Sequence, residues 1–304
     1  VDYTFVQLEA TTATVDYGGN CGNMSAAIGP FAIEEGLVPA PAGGEAAVRI
    51  HNTNTGKIIV ARFPVADGML APDGALALDG VAGTAAPIRL EFLSPGGART
   101  GRLLPTGHAV DVLDVPGLGP IEASCIDAAN PCVFVRAGDV GKSGTELPAE
   151  LERDTGWLER MEAIRRAASV AMGLAADPEA AGRLASVPKV AMVCPPAPAR
   201  TLSGAVLEAG AADVTVRMIS VGQPHRAVPI TGSICLAVAT RVPGSIPAAL
   251  CAGGRGPTRI GHPSGTTLVD ADVVVDATGQ AEARLGAVYR TARRLFEGNA
   301  VYRL

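Results

Sequence analysis

Lysine is nearly absent. Of 25 basic residues in 304, only Lys57, Lys142 and Lys189 are lysines, against 22 arginines. Arginine holds carboxylates in a fixed fork and stays charged, whereas lysine is the usual basic group for shuttling protons. A chemistry built on a catalytic lysine has few candidates here. Charge of one sign is lacking too: the net charge is −5 and no block of like charge occurs, which excludes nucleic-acid binding through a basic face. No run of 18 apolar residues exists, so no membrane-spanning helix is predicted. The start, Val1-Asp2-Tyr3-Thr4-Phe5-Val6, has no methionine, no basic stretch and no signal core, and reads as a fragment or processed chain. Cysteines 21, 125, 132, 194, 235 and 251 form no CxxC pair, and no histidine stands at zinc-ligand spacing. Most lie among apolar or small residues, as reduced core cysteines do, so a cytoplasmic setting is expected.

What is present describes a globular chain of about two domains. Apolar residues make up 48% and charged ones 18%, and 37 glycines and 23 prolines predict many turns and strands over long bundled helices. Strands are expected at 1–8, 88–93, 109–115, 121–126, 132–135, 190–193, 214–219, 259–262 and 267–275. Residues 46–51 and 57–63 flank Asn52-Thr53-Asn54-Thr55-Gly56 and read as a hairpin. Across 143–174, Leu151, Leu158, Met161, Ile164, Ala168 and Met172 recur at helical spacing, giving one amphipathic helix or two broken near Gly156. Residues 284–296 fit strand or helix equally well.

Two short segments break the β pattern. Residues 22–36 and 232–242 are apolar almost all round and rich in small residues, as buried helices are. Aligned, Cys21-Gly22-Asn23-Met24-Ser25 matches Thr231-Gly232-Ser233-Ile234-Cys235 in pattern: a turn, a glycine, a small polar residue, then an apolar run. This suggests a pseudo-repeat of two β-rich halves, each around one helix. Cys21, within Gly18-Gly19-Asn20-Cys21-Gly22-Asn23, then stands where a helix begins. The first helical N–H groups have no partner there and carry about half a positive charge, which favours thiolate over thiol and binds carboxylates. A proton acceptor beside an anion cradle suits removal of a proton next to a carboxylate; the alternative is an inert cysteine in a glycine-rich turn. The cradle would use backbone N–H at Gly22, Asn23, Gly232 and Ser233. Asn20, Thr231 and the tight loop Gly261-His262-Pro263-Ser264-Gly265 would add hydrogen bonds, with Asn130 and His225 as weaker carboxylate contacts.

The segments 18–38 (GGNCGNMSAAIGPFAIEEGLV), 113–119 (LDVPGLG), 127–135 (DAANPCVFV), 144–147 (GTEL) and 261–265 (GHPSG) together resemble the 2-methylaconitate isomerase (PrpF) family over nearly the whole chain. The resemblance implies an α+β fold like that of diaminopimelate epimerase: two similar β-barrel-like halves, each around a buried central helix, with the active site between them. The halves are expected at residues 1–105 plus 286–304, and at 106–285. It further implies a cofactor-independent isomerase that moves a proton along an allylic system in a small unsaturated polycarboxylic acid. The first candidate reaction is 2-methylaconitate cis–trans isomerisation in propionate breakdown; 4-oxalomesaconate tautomerisation is the alternative. Cys21 would be the catalytic thiol, with no metal. The epimerases of this fold use two cysteines, and Thr231 in place of the second argues against two-base racemisation unless Cys235 turns into the cleft. Family members also carry an upstream segment with a lysine thought to act in proton transfer, which none of the three lysines here matches. A non-catalytic accessory role therefore stays open. The expected partner is a small polycarboxylate substrate, with no nucleic acid and no membrane; a homodimer is left open.

Overall fold

A computed structural model describes residues 1–8, 15–17, 20–254, 256–277, 279–299 and 301. Gly18 and Gly19, part of the motif around Cys21, lie outside the described residues.

Twelve strands form the backbone of one 14-stranded mixed sheet. In chain order they are β1 (Asp2–Tyr3), β2 (Gly44–Asn52), β3 (Lys57–Ala66), β4 (Ile88–Leu93), β5 (Asp111–Val115), β6 (Gly119–Ala128), β7 (Asn130–Arg136), β8 (Lys189–Cys194), β9 (Val214–Ser220), β10 (Thr258–His262), β11 (Gly265–Val275) and β12 (Ala281–Arg290). Their order across the sheet is β1-β2-β3-β4-β12-β11-β10-β9-β8-β7-β6-β5, with Met69–Leu70 and Gln223–Pro224 as short additions beside β3 and β9. Strand β12 pairs with β4 on one side and β11 on the other. The ambiguous segment 284–296 is strand through Arg290 and irregular beyond it.

The hairpin forms as its sequence dictates. Along β2, Ala46, Val48, Ile50 and Asn52 turn inward at alternate positions. The turn closes through Asn52, whose side-chain oxygen accepts the Thr55 N–H (3.1 Å) and hydroxyl (2.7 Å), and through Gly56 at φ +65°. The chain's start is less regular than a single strand. Only Asp2–Tyr3 joins the sheet, parallel to β2, and Gln7–Leu8 pairs instead with Val15–Asp16.

Helices are α1 (Gly22–Glu34), α2 (Pro148–Arg153), α3 (Thr155–Ala171), α4 (Pro178–Arg183), α5 (Ile230–Ala239) and α6 (Ile246–Leu250). The amphipathic stretch does break in two, at Asp154 rather than Gly156, because the Asp154 carboxylate accepts the Trp157 N–H (3.0 Å) and caps α3. Strands β6–β8 carry a core on each face. Val133, Val135, Val190 and Met192 pack under α3, and Cys132, Phe134, Ala191 and Val193 face the core that holds α5.

All ten residues of α5 are buried, among β6, β7, β11 and β12. The first helix differs from expectation. It packs on β2, β3 and β4 through Ala26, Gly29, Ala32 and Ile33, but Met24 and Phe31 are about half exposed, since the described strands cover only one side of it. None of the described helices is long and apolar enough to cross a membrane.

The starts of α1 and α5 touch. A Cβ on Gly22 would come within 2.6 Å of the Ile230 side chain, closer than real side chains pack. Gly22→Ala is therefore expected to lower stability by about 1–3 kcal/mol through overpacking, despite alanine's better helix propensity. Gly43→Ala, in open space, should leave the urea midpoint unchanged. Equal midpoints for the two variants would show that the helix starts are not in contact.

Candidate active site

Cys21 caps α1 in an extended conformation (φ −102°, ψ 104°), and its side chain makes no capping hydrogen bond. The first intrahelical bond runs from the Ser25 N–H to the Cys21 carbonyl (3.0 Å), so the N–H groups of Gly22, Asn23 and Met24 have no helical acceptor. In α5 the cap is Pro229, and the first bond runs from the Ser233 N–H to its carbonyl (2.7 Å). The unclaimed donors are thus those of Ile230, Thr231 and Gly232. This corrects the pseudo-repeat's register: α5 begins two residues earlier than the alignment implied, with Pro229 extended at the cap (φ −61°, ψ 146°). The Ser233 N–H is consumed within the helix, and its hydroxyl donates to the Ile230 carbonyl (2.8 Å). Thr231 lies in the first turn, whereas Cys21 stands just outside its helix.

A cavity of about 680 Å³ opens where the two helix starts meet. Its wall includes Asn20, Cys21, Gly22, Asn23, Thr231, His225, His262 and Ser264, which were all singled out in the sequence. Four others are not in the lining. Met218 occupies the space beside Gly232, Ser233 is fully buried, and the Asn130 side chain donates to the Pro131 carbonyl (2.9 Å). Gly265 stands behind the wall at φ +137°, where only a missing side chain lets Asp79 approach closely enough to accept the Thr266 N–H (2.6 Å). Cys21 itself is partly accessible. Its neighbour Asn20 is held by a buried partner: the Asn20 side-chain oxygen accepts from the Asn52 amide (3.3 Å) and the Ser25 hydroxyl (3.4 Å).

Burial sets the charge states around the cavity. His262 is pushed down to about 4, chiefly by desolvation. His225 is also held at about 4, by desolvation and then by the charge of Lys189. Both rings are neutral at pH 7. In His262 the Nδ1 atom accepts the Ser264 N–H (3.2 Å), so the neutral ring carries its proton on Nε2 and offers it as a donor. Burial raises the Tyr3 phenol to about 12, with Cys21 adding to the effect and Ser25 opposing it.

Three charged lining residues escaped the sequence reading: Lys189, Arg290 and Asp79. Lys189 opens β8 opposite Cys132 and donates to the Ser220 hydroxyl (3.0 Å). Burial holds its ammonium below the usual lysine value, against the opposing pull of Cys132 and Cys21. The rarity of lysine was the one signal that pointed to it. Arg290 ends β12 and resembles the many other arginines in sequence. Among the described residues no group of three histidine, cysteine, aspartate or glutamate side chains is placed to hold a metal ion.

A family model described as PrpF protein matches residues 1–303. The chain belongs to the PrpF family. It is 38% identical to the 2-methyl-aconitate isomerase of Shewanella oneidensis, over 98% of this chain and 77% of that protein. It is 40% identical to the 3-methylitaconate isomerase of Eubacterium barkeri, over 98% of this chain and 78% of that one. The crystal structure of a methylitaconate-delta-isomerase superposes with a TM-score of 0.85 at 40% identity, covering 98% of this chain and 76% of the other. This PrpF chain is thus an isomerase in fold and sequence, and its α+β architecture around α1 and α5 is the family's own.

The neutral histidines make stability depend on pH. Their folded pKa, about 4, lies below the unfolded value of about 6.5, so folding favours the unprotonated ring. Their contribution is complete above pH 6.5 and is lost as pH falls towards 4. Urea unfolding should show wild type losing stability across that window, and His225→Asn/His262→Asn losing less. Parallel pH curves for the two proteins would contradict the assignment.

Proposed function

We propose that this chain moves a proton along an allylic system in an unsaturated polycarboxylate, with 2-methylaconitate as the substrate and propionate breakdown in the cytoplasm as the setting. What carries the reading is one placement: the Cys21 thiol sits in a polar cavity at the joined starts of two helices. A relative with this chemistry in its name is the 2-methyl-aconitate isomerase of Cupriavidus necator, 38% identical over 98% of this chain.

The chemistry follows from the geometry. A proton on carbon flanked by a carboxylate and a double bond is acidic because the resulting charge spreads over the allyl and carboxylate groups. Cys21, as thiolate, takes that proton; the electron pair moves into the conjugated system and forms an enolate-like anion. The free N–H groups at Gly22, Asn23, Ile230 and Thr231 face that negative charge as it grows. Return of the proton from the thiol, to the original carbon after rotation about the former double bond or to the far allylic carbon, gives the isomer and regenerates the thiolate. Positioned proton transfer of this kind contributes about 10²–10⁴-fold, and each oriented donor about 10²–10³-fold. The conjugated carboxylates supply the acidity that a cofactor would otherwise provide.

A second reading with the same residues is tautomerisation of 4-oxalomesaconate; an oxalomesaconate Delta-isomerase from a Novosphingobium species is 37% identical over 98% of this chain. Two-base racemisation has no support. Cys235 is fully buried, its thiol points at the Ile126 carbonyl (3.4 Å), and it does not line the cavity.

Incubation with 2-methylaconitate in D₂O, followed by ¹H NMR, should show isomerisation with deuterium entering the allylic position. In Cys21→Ser both rates should fall at least about 100-fold. Equal rates would remove Cys21 from the reaction, and binding without exchange in wild type would favour an accessory role.

A further inference from the structure

Two cations enter the cavity wall without a counter-ion. Lys189 is largely enclosed, yet among the described residues its ammonium has no ion pair and its hydrogen bond goes to a neutral hydroxyl, that of Ser220. The groups that feel its charge are Cys132, Cys21 and the neutral ring of His225. Arg290 is largely enclosed as well. Its hydrogen bond runs to the carbonyl of Tyr289 (2.8 Å), and it too makes no ion pair among the described residues. The side chain that feels it is His262, again neutral. The carboxylate in the wall, Asp79, is engaged by the Thr266 N–H and hydroxyl.

Elsewhere the molecule treats its buried cations differently. Arg165 is more deeply buried and binds both oxygens of Glu162 and three backbone carbonyls. Arg217 donates to the carbonyls of Glu146, Thr145 and Val216. Burying a charge with so few partners is unfavourable unless an anion arrives to meet it. Lys189 and Arg290 are thus the least satisfied enclosed cations of the cavity, and they stand on strands β8 and β12, with β9, β10 and β11 between them in the sheet. The Lys189 end holds Cys21 and His225, and the Arg290 end holds His262. The starts of α1 and α5 line the same cavity.

We infer that Lys189 and Arg290 are two separate carboxylate-binding poles, and that together with the helix starts they make the cavity selective for tricarboxylates over dicarboxylates. One terminal carboxylate meets the Lys189 ammonium, and the other meets the Arg290 guanidinium as a fork. The third lies over the N–H groups at Gly22, Asn23, Ile230 and Thr231. The reacting carbon is then held over Cys21. This rests on the proposed isomerase reading for the identity of the reaction, but the binding claim stands on the unpaired cations alone. Both residues position substrate; neither is assigned a proton-transfer step.

Calorimetric binding of two unreactive probes, propane-1,2,3-tricarboxylate and glutarate, separates the cases. Wild type should prefer the tricarboxylate by about 10-fold or more, as one additional charge-assisted contact allows. Lys189→Met and Arg290→Met should each bring that ratio close to 1, since two anion sites then remain for either probe. Lys189→Arg and Arg290→Lys should keep most of the preference. Without ligand, the Met variants should melt at or above the wild-type temperature, because each removes an uncompensated buried charge. With saturating tricarboxylate they should lose much of the ligand-induced rise in melting temperature. Should a Met variant fail to fold, the corresponding Gln variant is read in the same way. A ratio unchanged from wild type in either neutral variant overturns the assignment for that pole. Deuterium exchange by wild type is scored separately: if it fails while the ratios collapse as expected, the isomerase reading falls and the two poles stand.

Discussion

The structure depends on one close approach: two helix N-termini brought together at Gly22 and Ile230. A helix start is the positive end of a line of aligned peptide dipoles and leaves its first N–H groups without partners. Placing two such ends side by side is electrostatically unfavourable in an empty protein. It becomes favourable when an anion lies between them. Everything around the junction supports that arrangement: the glycine that lets the helices touch, the strands that grip α5 on all sides, and the hairpin whose buried Asn52 steadies Asn20 beside Cys21. The fold is a frame for a locally positive cavity that also holds a thiol.

Around that junction the cavity avoids surplus charge. His225 and His262 are kept neutral, so neither adds to the positive field, and the His262 ring accepts the Ser264 N–H. The positive side-chain charge that does remain sits on Lys189 and Arg290, at residues with few internal partners. Such a site is less stable empty than a neutral one of the same shape. That deficit is recovered when a polyanion binds, which is how a small cavity can favour a highly charged, strongly hydrated substrate over water. Placing the developing negative charge of the reaction in the same field extends this preference from the substrate to its carbanion-like intermediate.

Much of this was legible in the sequence, for reasons that particular residues illustrate. The hairpin of β2 and β3 announces itself because alternation and an Asn-rich, Gly-closed turn are local signals. The helices α1 and α5 stand out because runs of small apolar residues interrupt the strand pattern, and in α5 every residue is buried as that composition suggests. Cys21 was found because a thiol flanked by glycines at a helix start is a local arrangement. The rest depends on pairings distant in the chain. Ser233 looked like a free donor because the helix start was taken from the glycine, whereas Pro229 caps α5 and sets the start earlier. Asn130 looked available, but its side chain closes on the next carbonyl. Lys189 and Arg290 reach the cavity only because β8 begins and β12 ends there, and no periodicity reveals that. The exposure of Met24 and Phe31 on α1 was equally hidden, since composition does not say which faces of a helix the strands will cover.

The most direct test of the account is a crystal structure with propane-1,2,3-tricarboxylate bound. The account predicts carboxylate oxygens within hydrogen-bonding distance, about 3 Å, of backbone N–H groups at the starts of both α1 and α5, with the Cys21 sulfur facing the ligand's central carbons. A ligand seated away from one of the helix starts, or with Cys21 turned from it, would contradict the claim that the two positive ends are joined to hold a polyanion at the thiol.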